Sequence, residues 1–185
     1  MKMKVLKLSL VVILLMGLQP VSAQKTYNAD AEKSKVTIEG TSNVHDWEMI
    51  AENPKSTLEL TSESEKEVAS VSFEVPVKSM KSGKNRMDKN TYEALKEEDH
   101  NKIVFNSTQI ENVNGNYYVV GDLNIAGISK KVRIPFKLSK NDNTLNLALA
   151  YEINMLDYKV EPPTALFGTI KTGEKVNVKI NLIYQ

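Results

Sequence analysis

The sequence predicts an all-β protein with one short helix, built as an antiparallel barrel or sandwich of about eight to ten strands. Three observations carry this prediction: most segments alternate apolar and polar residues, turn sequences separate them, and a single segment has helical composition. The chain has 185 residues, 41% hydrophobic and 25% charged, which is enough for one well-filled core and excludes disordered and collagen-like classes. No shift in composition marks a domain boundary, so we expect one folded domain.

The alternating segments have the two-residue period of half-buried strands, because successive strand residues face opposite sides of a sheet. They occupy residues 36–39, 71–75, 132–138, 145–153 and 176–182. Turn residues separate the strands at 114–116, 126–127, 140–143 and 172–173, and Asn-Gly between alternating runs is the strongest short hairpin signature. Short loops of this kind join antiparallel neighbours, which favours a closed barrel or a sandwich.

Two segments depart from the alternation. Residues 88–99 are rich in Glu, Lys, Ala and Leu, and Asn90 with Glu93 resembles a capping box, so this segment predicts a helix of about three turns. Met87, Ala94 and Leu95 share one side by helical spacing, so the helix is expected to lie across one end of the sheet. Residues 156–168 contain Pro-Pro and predict a long loop, of the kind often found at a binding mouth.

The N-terminus reads as a secretory signal peptide. Three lysines at positions 2, 4 and 7 precede an apolar run over 8–18, and small residues follow with cleavage expected after Ala23. The run is too short for a stable membrane span. We therefore expect a mature domain of residues 24–185 in the periplasm or secreted from the cell.

Composition limits the partners of this domain. Residues 24–185 carry 21 basic and 23 acidic side chains, so the domain lacks the positive charge that drives nucleic-acid binding, and a neutral or hydrophobic partner is the simplest expectation. The absence of cysteine excludes disulfides and thiolate metal sites.

The residues give little basis for catalysis. His45-Asp46 and Asp99-His100 are the only histidine-acid neighbours, and adjacent strand residues face opposite sides, so we expect no catalytic residue, metal or cofactor and do not predict an enzyme. An enzyme using His45 with Asp46 or a nearby acid stays open as an alternative. Most acidic residues alternate with apolar ones and are expected on the solvated exterior. Trp47, the single tryptophan, either plugs one end of the core or lines a ligand channel with its indole N–H at the rim.

Several motifs together resemble the YceI-like family of lipid- or polyisoprenoid-binding proteins, especially its Bacteroidetes-like members. The resemblance begins with Ser-Lys-Val-Thr-Ile-Glu-Gly-Thr-Ser-Asn-Val-His-Asp-Trp at 34–47 and continues with Lys-Ser-Gly-Lys-Asn-Arg-Met-Asp at 81–88. Its most specific part is Gly-Asp-Leu-Asn-Ile-Ala-Gly-Ile-Ser-Lys-Lys-Val at 121–132, and the order and spacing of the motifs extend over nearly all of residues 24–185.

The resemblance implies an extended, lipocalin-like antiparallel β-barrel whose lumen holds an amphipathic lipid such as a polyisoprenoid or a fatty-acid-like chain. A homodimer is possible. Charged groups at the mouth, Lys84 or Arg86, are expected to contact a lipid headgroup. The expected lumen residues are Val36, Ile38, Trp47, Phe73, Val75, Met87, Ile103, Phe105, Val132, Ile134 and Phe136.

One departure from the family concerns the length of the ligand. Many members have an Arg-Gly pair and a smaller residue where this chain has His45-Asp46-Trp47, and a bulky Trp47 can shorten or block the channel. Besides the carrier and the enzyme, a structural envelope protein whose barrel is filled by side chains stays open.

Overall fold

A computed structural model describes residues 24–61 and 67–185, so the predicted signal peptide lies outside the described residues. The strands are β1 (Lys25–Asn28), β2 (Lys35–Ser42), β3 (Trp47–Ala51), β4 (Lys55–Leu60), β5 (Val68–Pro76), β6 (Met80–Lys81), β7 (Lys102–Val113), β8 (Asn116–Ile125), β9 (Ile128–Asn141), β10 (Thr144–Asn154), β11 (Thr164–Ala165) and β12 (Ile170–Tyr184). Among the described residues, one α-helix, α1 (Asn85–Ala94), lies between β6 and β7, and two 3-10 turns cover Val77–Ser79 and Met155–Tyr158. Within the described residues, no helix has the length and apolarity needed to cross a bilayer.

The strands form one antiparallel sheet that curls into a half-barrel, which confirms the predicted fold class. The order is β1-β4-β5-β7-β8-β9-β10-β12-β2-β3-β6, with β11 paired to the start of β12. One contact joins distant parts of the sheet: Ala29, just after β1, bridges to Tyr184 at the end of β12. The Glu52 N–H donates to the Ser79 carbonyl at 3.1 Å and continues the pairing of β3 with β6. Apolar side chains at alternate positions of the strands cover the concave side. In β9, for example, Val132, Ile134 and Phe136 are buried and their neighbours are exposed.

The helix and one turn differ from prediction. Helix α1 begins three residues earlier than expected and ends at Ala94, so Asn90 lies inside it and forms no capping box. The predicted turn at 172–173 is instead an irregularity within β12, where the register with β2 shifts between Thr172 and Val176. The turns at 114–115 and 126–127 are confirmed, because each places a residue and the glycine after it in the left-handed region.

The two ends of the half-barrel differ in packing. At the far end, which carries the β7–β8 and β9–β10 hairpins, the fully buried Tyr184 hydroxyl lies 2.7 Å from Ser56 Oγ, and the rings of Tyr117 and Phe136 pack 5.8 Å apart. At the other end, the helix end, Leu95 directly follows α1 and contacts both hydrophobic clusters, which holds the helix against the sheet. The far end is therefore filled by side chains, and α1 covers the opposite end.

The wall of the half-barrel is split between β9 and β10 at the helix end. Their pairing stops at Leu149 with Phe136, although β10 stays paired with β12 to Asn154. Pro135 is tolerated in β9 because the ladder to β10 has already ended there. The 3-10 turn after β10 fills the split: Asp157 accepts from Lys130 Nζ at 3.1 Å, and the buried Tyr158 ring lies 5.9 Å from the same nitrogen.

Candidate ligand-binding site

The concave face of the sheet encloses two neighbouring cavities of about 100 and 110 Å³. Six side chains line both cavities, so the two lie next to each other, and we refer to them together as the apolar lumen. These are Ile38, Met80, Ile103, Ile125, Ile153 and Val178. The first cavity extends toward the far end among strand side chains, and the second lies under α1, where Thr91, Ala94 and Leu95 face it.

Seven of the predicted lumen residues line these cavities, because their strands present them to the concave face. They are Val36, Ile38, Phe73, Val75, Ile103, Phe105 and Ile134. Contact with a ligand stays a prediction for each of them. Their position shows that alternation in β2, β5, β7 and β9 predicted the correct face of the sheet.

The other four predicted residues do not line either cavity. Val132 and Phe136 face the interior but pack into the main core cluster. Phe136 lies beyond the first cavity, where its ring packs at a tilt against Tyr117 at the far end. Met87 is one turn before Thr91 on α1 and faces a pocket outside the lumen.

Trp47 is also outside the lumen, and glycine explains its position. Gly40 is its register partner on β2, and a Cβ at Gly40 would lie 2.1 Å from Trp47 Cζ2. The ring therefore folds back over the glycine, and its indole N–H donates to the Thr41 carbonyl at 3.0 Å. Trp47 packs at the end of the smaller core cluster around Met49 and, like Met87, also lines the pocket outside the lumen. Its ring therefore covers the edge of the core, and its N–H is bonded to the backbone.

Sequence reasoning named none of the lumen residues contributed by β8, β10 and β12. The additional lining residues of the first cavity are Val71, Met80, Val119, Leu123, Ile125, Leu147, Leu149, Tyr151, Ile153, Val178, Ile180 and Leu182. Alternation in 145–153 and 176–182 was visible in the sequence and could have identified the members in β10 and β12. The sequence does not show that β10 and β12 lie across the lumen from β5 and β7.

Two tyrosines are the only titratable residues that line the lumen within the described chain. Tyr151 lines the first cavity and Tyr158 the second. Burial raises the pKa of Tyr158 to about 12, and it raises the pKa of Tyr151 as well. Both phenols are therefore neutral at physiological pH, and the lumen carries no charge.

A separate pocket of about 240 Å³, which we call the outer pocket, opens beside the lumen at the helix end. Thr91 and Pro163 line both this outer pocket and the second cavity. The predicted headgroup residues Lys84 and Arg86 line the outer pocket and are exposed. Among the described residues that form it, no side chain is acidic. The geometry therefore places two cations next to the mouth of the apolar lumen.

Asp88 fixes the loop that carries Lys84. The buried Asp88 carboxylate accepts from the Ser82 N–H at 2.8 Å and from the Ser82 hydroxyl at 2.6 Å. Ser82 Oγ in turn accepts from the Lys84 N–H at 3.2 Å. These bonds hold the entry to α1 without a side-chain cap at Lys84 itself.

His45 does not meet the requirement of the enzyme alternative. Its ring is exposed, it lines the outer pocket, and its Nδ1 lies 2.7 Å from the backbone carbonyl of Asp46. His100 packs over Gly127, where a Cβ would lie 2.4 Å from its Nε2. Neither histidine faces the lumen beside an acid. On the convex face, carboxylates pair with lysines, and Lys102 beside Glu74 holds the pKa of that carboxyl below its usual range.

Fold and site together define a class: a curled antiparallel sheet around a narrow, uncharged apolar lumen whose mouth is covered by one helix. The model of the YceI-like domain matches residues 27–184. The chain therefore belongs to the YceI-like family, as its motifs indicated.

Solved structures have the same fold. BcnA of Burkholderia cenocepacia matches with a TM-score of 0.72 and 19% identity, over 84% of this chain and 98% of that one. A polyisoprenoid binding domain from Saccharophagus degradans, implicated in plant cell wall breakdown, matches with a TM-score of 0.68 and 10% identity, over 86% and 97%. The YceI protein of Campylobacter jejuni matches with a TM-score of 0.60 and 15% identity, over 73% and 82%. None of the curated protein sequences matches the chain.

Proposed function

We propose that the protein is an exported carrier that binds the apolar chain of an amphipathic lipid, polyisoprenoid or fatty-acid-like, in the lumen. The observation that carries the proposal is the character of the first cavity. Apart from the phenol of Tyr151, every side chain that lines it is a hydrocarbon or a thioether. An apolar cavity of this kind stays dry and favours an apolar guest.

The energetics suit a slender chain. Each methylene moved from water into the lumen contributes about 0.8 kcal/mol. A cavity of roughly 150 Å³ admits a benzene ring, so cavities of about 100 and 110 Å³ each admit a short segment of chain. A longer ligand requires rotation of half-buried lining residues such as Ile153 and Val178. The Saccharophagus degradans domain, named for polyisoprenoid binding, supports this ligand class.

A binding titration tests the lumen with a matched pair of variants. Leu149 lines the first cavity, and Ala150 is exposed on the opposite face of the same strand. Leu149→Trp should fill the lumen and abolish binding of a polyisoprenoid alcohol or a long-chain fatty acid, measured by calorimetry. Ala150→Trp should bind as the wild type does. Equal binding by Leu149→Trp, with its fold confirmed by circular dichroism, would place the ligand elsewhere.

Lys84 and Arg86 are proposed to contact the headgroup of the bound lipid. In the described chain neither side chain has an ion pair, so both are available for a phosphate or carboxylate at the mouth. Arg86→Ala should weaken binding of a polyprenyl phosphate more than binding of the corresponding alcohol. An equal affinity of Arg86→Ala and wild type for the phosphate would exclude this role.

Export rests on the N-terminal sequence pattern. The protein isolated from its host should begin at Gln24 and fractionate with the periplasm or the medium. An N-terminus at Met1 in the cytoplasmic fraction would contradict this part of the proposal.

A structural protein with a filled lumen is the second candidate, and the small volume of the cavities favours it. The two functions differ in what Ile153→Ala does. In a carrier the variant widens the shared part of the lumen and admits bulkier chains. In a structural protein it only lowers stability, by at most about 2 kcal/mol because the side chain is half-buried, and no lipid binds.

A further inference from the structure

Three apolar side chains project from the helix end of the molecule. Val44 and Leu166 are mostly exposed, and Phe167 is fully exposed. Asn43 joins their two loops: its Nδ2 donates to the Thr169 carbonyl at 2.9 Å, and its Oδ1 accepts from the Lys171 N–H at 2.8 Å. We call Val44, Leu166 and Phe167 the apolar tip.

The backbone of the tip is unusual for bulky residues. Leu166 and Phe167 have φ of 49° and 55°, and Gly168 continues the left-handed run. The Gly168 N–H donates to the Ala165 carbonyl at 3.1 Å, which closes a tight turn with Leu-Phe at its centre. Asn and Gly suit this turn type, as Asn114-Gly115 shows in the β7–β8 hairpin. The turn therefore presents a large exposed side chain where a small one would fit the backbone better.

The apolar tip stands beside the mouth of the lumen. Pro163, at the start of the segment that leads to the tip, lines both the second cavity and the outer pocket. Thr164, Ala165 and Ile170, on either side of the turn, also line the outer pocket. A surface that receives the tip is thus directly next to the proposed entrance for a lipid.

The positive charges beside the apolar tip and the small area of the tip favour a lipid surface as its binding partner. Lys84 and Arg86 line the adjoining outer pocket, and Lys171 is exposed just after the turn. Apolar side chains flanked by cations are the arrangement that binds the boundary of an anionic bilayer. Three side chains bury roughly 500 Å², since an aromatic residue contributes about 150–250 Å². That is below the roughly 800 Å² that each partner buries in a standard protein interface.

We propose that the apolar tip inserts into the surface of an anionic bilayer and sets the mouth of the lumen against it, so that a lipid can pass between membrane and lumen. The purpose of this docking rests on the proposed function, whereas the docking itself is measured separately.

Vesicle co-sedimentation tests the proposal on the full purified protein. Vesicles of phosphatidylglycerol and phosphatidylethanolamine in equal parts should bind the wild type, and Phe167→Gly should weaken this binding roughly tenfold, as expected for loss of one buried aromatic side chain. The matched control is Val113→Gly, since Val113 is exposed beside the β7–β8 turn at the far end; it should bind like the wild type. Phosphatidylcholine vesicles should bind more weakly, because the flanking cations lose their partners.

Three results would overturn the proposal: no vesicle binding by the wild type, equal binding by Phe167→Gly, or a solution dimer that Phe167→Gly dissociates. The last result would assign the tip to a second copy of the chain. Leu149→Trp separates the two proposals, because it should lose the lipid ligand and keep vesicle binding. Vesicle binding without any lumen ligand would refute the proposed function and leave the docking intact.

Discussion

Phe167→Gly should stabilise the protein, although it removes the largest side chain of the turn. Phe167 is fully exposed and has a φ of 55°, so the folded state pays the steric cost of the left-handed conformation and gains no packing in return. That cost is roughly 1–2 kcal/mol for a residue with a Cβ. Glycine removes it but loses about 0.5–1 kcal/mol of additional backbone entropy on folding. The net gain therefore lies between about 0 and 1.5 kcal/mol, with a central value of about 0.75 kcal/mol.

Differential scanning calorimetry measures this gain as a rise in Tm of about 1.5–3 °C at the central value, since 1 kcal/mol corresponds to about 2–4 °C at this chain length. Val113→Gly is the control, because Val113 is exposed in a strand and does not have a positive φ. There the glycine relieves nothing, so the Tm should fall. A Tm of Phe167→Gly at or below that of the wild type would refute the strain argument. A higher Tm together with weaker vesicle binding would show that Phe167 serves function at the expense of stability.

Other predictions concern the core and its ends. Gly40→Ala should displace the Trp47 ring, lower stability by about 1–3 kcal/mol and shift the fluorescence of this single tryptophan to the red. The loss of stability should be smaller in a Trp47→Val background. Equal losses in both backgrounds would show that the two residues are not energetically coupled. Burial raises the pKa of Tyr184 to about 12 from its ordinary value of 10.0. As the pH rises, the unfolded chain therefore releases this proton before the folded chain does. The stabilisation is complete below pH 10, and stability should fall by about 2–3 kcal/mol as the pH rises from 10 to 12. Urea unfolding should show a shallower fall for Tyr184→Phe, and an unchanged slope would contradict the assignment. Tyr184→Phe should also cost about 1 kcal/mol at neutral pH, because it removes the bond to Ser56.

Much of the fold followed from local patterns. Strict alternation identified the strands, and Asn114-Gly115 with Ala126-Gly127 identified hairpins, because these features depend only on neighbouring residues. Asn90 and Glu93 predicted the wrong start of the helix, because a capping box is a short pattern. The true start is held by hydrogen bonds between Ser82 and Asp88, which are six residues apart.

The site was less accessible to sequence reasoning. Trp47 has the period of an inward residue, but its position depends on Gly40 across the strand pair, and no local pattern shows that register. Thr172-Gly173 resembles a turn, yet pairing with β2 carries β12 through it. The sequence also did not predict the exposure of Phe167, since a Leu-Phe pair in a loop is expected to be buried unless the turn geometry is known.

The central claim is that the lumen holds a lipid, and the most direct measurement is mass spectrometry of the denatured extract of protein purified from its own host. We predict one amphipathic lipid with a long apolar chain per protein molecule in the wild type and in Ala150→Trp, and none in Leu149→Trp. A wild-type extract without lipid, in repeated preparations, would contradict the carrier and leave the structural protein as the better account.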